Sequence, residues 1–225
     1  MRILINGDSN LSGAELPDIK LSIGHQFCNL MGGELVNLAY PGASNDRIYN
    51  TTLENLNQKI DFVLIAWTEM SRLQWFTTAE GHPYFYEINN LGIGRQPLPT
   101  EFTGRYNHWQ KFMADSPEFR RALSLYWHER IYNLHQLLNY RGIPHLFFNT
   151  FERFHIYQEE YQLNWSQRYI DPYERFEPPI TYVSWAQRNN YQEITPGQRH
   201  YEPKAALAWA ELLMDHTRKH NLHKI

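Results

Sequence analysis

Four short apolar runs punctuate the chain: Arg2 to Asn6, Glu34 to Ala39, Asp61 to Trp67 and Pro144 to Thr150. Each is close to continuous, the third reading Phe62-Val63-Leu64-Ile65-Ala66. A strand covered on one face alternates apolar and polar positions, whereas a strand covered on both needs apolar residues throughout. The runs therefore predict strands of a parallel sheet flanked by helices on two sides. Between the first two, Ile23, Phe27 and Leu30 recur at helical spacing and Gly32-Gly33 ends the pattern, giving strand, helix, strand. The longest helical pattern runs from about Pro117 to Tyr140, with Phe119, Leu123, Trp127, Ile131, Leu134 and Leu138 in one stripe. Ser116-Pro117-Glu118 makes a good helix start there and Gly142 a good stop. A last helix is predicted from Pro203 to about Lys219, its Ala206, Ala210, Leu213 and Thr217 on one side and Arg218 and Lys219 at the end that favours cations.

Two stretches break this alternation, residues 70–115 and 152–179. Both are long, aromatic and rich in Pro, Gly and Asn, and they read as insertions over one rim of the sheet within a single domain spanning residues 1–225. The composition, 42% hydrophobic and 20% charged, excludes a disordered or coiled-coil chain. A formal charge of -3 supplies no basic field for phosphates, so no nucleic-acid partner is expected. Cys28 is the single cysteine, which removes internal disulfides and cysteine-based zinc sites. No run approaches the roughly 18 apolar residues of a membrane span, and Met1 to Ser9 does not read as a signal peptide; no membrane partner and cytoplasmic synthesis are the expectations. His216 and His220 stand four apart without a carboxylate partner, so neither a metal nor a cofactor is expected.

In an open parallel sheet, ligands bind where the strands end at their carboxyl edge. Gly7-Asp8-Ser9, Pro41-Gly42-Ala43-Ser44-Asn45-Asp46 and Trp67-Thr68-Glu69 follow the first three strands. A serine leaving strand one toward a helix start would be exposed at that crevice, and Gly42, lacking a side chain, lets a second backbone N–H approach a ligand. Serine needs a base, and of the 11 histidines His200 is best placed, in the Pro196-Gly197-Gln198-Arg199-His200 loop before the last helix. Asp8 reads as a structural acceptor of backbone hydrogen bonds.

These blocks resemble the SGNH, or GDSL-type, hydrolase superfamily. Ile3 to Ser9 is similar to its nucleophile block, Val36 to Ser44 to its second block with the oxyanion glycine, and His200, nine residues before Trp209-Ala210, to its terminal block. The resemblance implies a three-layer α/β/α, flavodoxin-like fold with about five parallel strands, and a serine esterase or acyl hydrolase. Ser9 would be the nucleophile, His200 the base, and the N–H groups of Ser9 and Gly42, with Thr68, the oxyanion donors. Two positions depart from the family. Its third block, Gly-x-Asn-Asp, is Ala66-Trp67-Thr68-Glu69 here, and its acid three residues before the histidine is Gly197. A Ser-His dyad, or an orienting acid from elsewhere such as Glu193 or Glu202, would have to serve. Asn37-Leu38-Ala39-Tyr40-Pro41-Gly42-Ala43-Ser44-Asn45, with Trp67, Thr68 and Arg72, further resembles SGNH-like proteins of tailed, especially marine, bacteriophages.

Simpler roles stand beside these. Ser9 also suits a helix cap or turn, Gly42 a plain turn after Pro41, and His200 a surface loop. Trp75, Phe76, Tyr84, Phe85, Tyr86, Trp165, Tyr169 and Tyr173 would stack on sugar rings over the crevice, build small cores of their own, or line a homo-oligomer interface. The leading expectation is removal of an O-acetyl or other short acyl group from a carbohydrate or small-molecule ester. The other is a degenerate SGNH fold serving as a non-catalytic, structural or glycan-binding virion component, located in the virion or the host cytoplasm.

Overall fold

A computed structural model of the chain describes residues 1–79, 82–88, 100–151, 166–170 and 181–223. In chain order the elements are β1 (Arg2–Asn6), α1 (Ser9–Ser12), α2 (Ile23–Leu30), β2 (Glu34–Asn37), α3 (Asn45–Asn55), β3 (Phe62–Trp67), β4 (Leu73–Ala79) and β5 (His82–Ile88). They continue with α4 (Thr100–Asp115), α5 (Pro117–Tyr140), β6 (His145–Asn149), β7 (Tyr169–Ile170), α6 (Tyr182–Arg188) and α7 (Pro203–Lys219). Five strands form one sheet in the order β2-β1-β3-β6-β7, each neighbouring pair parallel.

The unbroken apolar strands are explained by what covers them. Ile3, Ile5, Phe62, Leu64, Leu146 and Phe148 point to one face and pack with α2, α6 and α7 through residues such as Phe27, Tyr182 and Trp209. Leu4, Val63, Ile65, Trp67 and Phe147 point to the other, against Ile48 of α3 and Trp127, Ile131, Leu134 and Leu138 of α5. Alternate residues thus serve different layers, and the result is helices on both sides of a parallel sheet. Among the described residues no helix is long and apolar enough to cross a membrane.

The two segments expected as insertions differ in kind. The first holds an antiparallel hairpin, β4 with β5, apart from the main sheet, and then α4. Trp109 of α4 meets Phe112 and, across to α5, Phe119, with ring centroids 6.2 and 5.5 Å away. The second is not only an insertion, because Tyr169–Ile170 inside it pairs with Phe147–Phe148 as the fifth strand. Tyr169 is buried and its hydroxyl donates to Asn149 Oδ1 at 2.6 Å, so it is closed to a sugar ring. Trp165 and Tyr173, and the side chains of Trp75, Phe76, Tyr84, Phe85 and Tyr86, lie outside what is described.

Between α5 and β6 runs a buried chain of polar groups. His145 Nδ1 lies 3.0 Å from the Ile143 carbonyl, His145 Nε2 2.7 Å from His135 Nδ1, and His135 Nε2 2.9 Å from Asn139 Nδ2. A carbonyl only accepts, so His145 carries its proton on Nδ1 and accepts at Nε2; His135 then donates from Nδ1 and accepts the Asn139 amide. Every member is satisfied only while both rings are neutral. Burial pushes His145 down to about 3 and His135 to about 4, Arg168 acting in the same direction on both. His128, two helical turns before His135, is held at about 3 by burial alone.

Candidate active site

Ser9 is fixed by the way β1 ends. Gly7 leaves the strand in tight contact with β3, where a Cβ would stand 2.8 Å from Leu11 Cδ2 and 2.9 Å from Ala66 Cβ, so only glycine fits. Asp8 follows as the cap of α1, its carboxylate accepting from Asn10 N at 3.0 Å. It is a structural acceptor, as expected. The Ser9 carbonyl accepts from Ser12 Oγ, Gly13 N and Ala14 N at 3.0, 3.0 and 2.9 Å, which locks one helical turn around the serine.

The second loop is carried beside the first. Past β2 the pairing continues, Leu38 N donating to Ile5 O and Tyr40 N to Gly7 O. Ala43 N then closes a turn onto Tyr40 O, with Gly42 at φ 81°, a left-handed conformation suited to glycine. The helix behind it, α3, is tied to β1 through Asn6 Nδ2, which donates to Ile48 O at 2.8 Å.

His200 arrives on a narrow two-stranded loop. Ile194 N donates to His200 O at 2.8 Å and Glu202 N to Gln192 O at 2.9 Å, with Gln198 N turning back onto Thr195 O. Arg199 anchors that loop to the sheet edge, its Nη2 2.9 Å from Glu69 Oε1. The outcome is direct: His200 Nε2 lies 2.8 Å from Ser9 Oγ, joining residues 191 positions apart. Both side chains are largely covered, Ser9 being 6% exposed and the His200 side chain 11%.

The acid was not found where the sequence pointed. Glu193 accepts from Gly197 N and Glu202 accepts from Gln192 N at 3.3 Å, so both brace the loop. The carboxylate facing His200 is Glu15, whose Oε2 lies 3.2 Å from Nδ1, within ion-pair distance though not aligned as a hydrogen bond. Nothing in the residues around Glu15 signals this, because it depends on Glu15 adopting φ 67° in the turn after α1.

Thr68 is held through its backbone. Asn45 brackets its backbone, donating from Nδ2 to Thr68 O at 3.1 Å and accepting from Thr68 N at 2.8 Å. The Thr68 and Thr150 hydroxyls are both sealed from solvent. Asp8 is fully buried, and burial raises its carboxyl against the opposing pull of Arg72. Arg72 is itself buried, stacked 4.6 Å over Phe151 with Nε 3.6 Å from Glu69. Glu69 thus lies between two guanidiniums, those of Arg72 and Arg199. Among the described residues no three His, Cys, Asp or Glu side chains converge to hold a metal. No protein-family model matches this chain, and no curated protein matches it significantly.

Proposed function

We propose that this chain is an SGNH-type serine esterase that removes an O-acetyl or other short acyl group from a carbohydrate ester. The observation that carries the reading is the 2.8 Å approach of His200 Nε2 to Ser9 Oγ across the carboxyl edge of the sheet. His200 takes the Ser9 proton as Oγ bonds to the ester carbonyl carbon. The resulting oxyanion is met by backbone N–H groups, with Ser9 and Gly42 the candidates. His200 then returns the proton to the leaving alcohol oxygen as its bond to carbon breaks. Water repeats the sequence on the acyl-serine, releasing the carboxylic acid and restoring Ser9. The sugar half of the proposal leans on the aromatic residues flanking β3 and β6 in sequence, Tyr169 excepted. The resemblance to phage proteins adds a proposed viral setting but no substrate.

A second reading, a non-catalytic glycan-binding or structural component, draws on the sealed Thr68 hydroxyl, which stands where the family's third block carries an amide donor. Loss of one such donor costs roughly 10² to 10³ in rate, slowing the enzyme without abolishing it. The two readings separate on a panel of 4-nitrophenyl acetate and butyrate and an O-acetylated oligosaccharide. The esterase is expected to turn over acetyl esters, with Ser9→Ala and His200→Ala each reducing kcat by about 10³ or more. Turnover that survives Ser9→Ala contradicts the mechanism; a folded protein that binds the oligosaccharide without hydrolysing any ester supports the second reading.

A further inference from the structure

We infer that Glu15 is the positioning acid of this site, so that nucleophile and acid come from one short segment, Ser9 to Glu15, while the last block supplies only the histidine. The inference rests on the esterase reading and deepens it. For His200 Nε2 to accept the Ser9 proton, the ring proton must sit on Nδ1, and that tautomer persists where an acceptor faces Nδ1. Glu15 Oε2 stands there at 3.2 Å, while Nε2 is engaged by Ser9 at 2.8 Å. The other nearby acids are committed elsewhere: Glu193 to Gly197 N, Glu202 to Gln192 N, and Glu69 to Arg199.

The position where a terminal-block acid would stand is Gly197, at φ 82° with nothing within 4 Å of a built Cβ. The chain instead bends at Gly13, which ends α1 at φ 82°, and Glu15 takes φ 67°, a conformation non-glycine residues seldom adopt. Such a residue persists only where its surroundings over-determine it, and it clusters at functional sites. During attack the carboxylate stabilises the imidazolium without taking its proton. Its side chain is 31% exposed, so water offsets part of its loss.

The experiment compares wild type with Glu15→Ala, Glu15→Gln and Glu193→Gln. Nitrogen-15 NMR of the neutral His200 ring reads the tautomer directly. In wild type the proton is expected on Nδ1; in Glu15→Ala the population shifts toward Nε2–H, and Glu15→Gln, whose amide oxygen still accepts, stays closer to wild type. On acetyl esters Glu15→Ala is expected to lower kcat by roughly 10- to 10³-fold, below the roughly 10⁴ available to a fully buried acid. KM is expected to stay unchanged, because Glu15 does not touch substrate. Glu193→Gln is expected to leave the His200 tautomer as it is. A His200 tautomer unmoved by Glu15→Ala in a folded protein overturns the inference. A tautomer that moves in a protein without ester turnover upholds the Glu15–His200 pairing and removes the esterase reading instead.

Discussion

Acidification to pH 5 is expected to destabilise the fold through buried histidines outside the candidate site. His128 and His145 are 2% and 0% exposed, and burial holds both at about 3. In the unfolded chain each titrates near 6.5. Between these values the unfolded state binds the extra protons, so stability is complete above about pH 6.5 and falls as pH falls. One such histidine costs about 1.4 kcal/mol per pH unit, hence about 2 kcal/mol at pH 5 and about 4 kcal/mol for the two. His135, lowered to about 4, adds in the same direction, since its protonation would set two donors against each other at His145. Asp8 and Asp46, both raised by burial, titrate in the opposite sense and soften the lower end of the window. A loss of this size is a large part of the roughly 5–15 kcal/mol that holds a domain together. Urea midpoints between pH 7.5 and 5 measure it, and His128→Phe should remove about 1.4 kcal/mol per pH unit from the slope. Stability that is flat or rises on acidification, or a slope untouched by His128→Phe, would refute the reasoning.

Two further outcomes follow from the packing beneath Ser9. Arg72→Met leaves the buried carboxylates of Asp8 and Glu69 with one cation fewer and is expected to cost about 3–5 kcal/mol, read as a lower urea midpoint; an unchanged midpoint would mean the cluster is not electrostatically coupled. Gly7→Ala drives a methyl into Leu11 and Ala66 and is expected to cost about 1–3 kcal/mol, lowering the melting temperature and, on the esterase reading, slowing ester turnover by displacing Ser9.

What the sequence revealed and what it hid differ in range. β1, β3, β6, α5 and α7 were legible within a residue or two because their patterns are local consequences of being covered on two faces or one. β7 was hidden, since two residues, Tyr169 and Ile170, have no period, and their strand exists only by pairing with β6. α6, beginning Tyr182-Val183-Ser184-Trp185, was hidden too; its start depends on Thr181 and Ser184 capping each other. Ser9 and His200 were legible as motif positions, and the fold closes the distance between them. Glu15 was not, because it meets His200 through a left-handed turn that nothing between Gly13 and Pro17 encodes as an active-site feature. The buried histidines of α5 had a faint signal: His128 and His135 lie seven apart beside the Trp127–Leu134 stripe, so they share its buried edge.

The measurement that bears most directly on the central claim is active-site labelling. A fluorophosphonate reacts with a serine only where a neighbouring base activates it. Intact-mass and peptide analysis after incubation at pH 7.5 is expected to show one adduct, on the peptide containing Ser9, lost in Ser9→Ala and slowed at least about tenfold in His200→Ala. An unlabelled folded protein, or labelling that persists in Ser9→Ala, would contradict a catalytic serine at the carboxyl edge of this sheet.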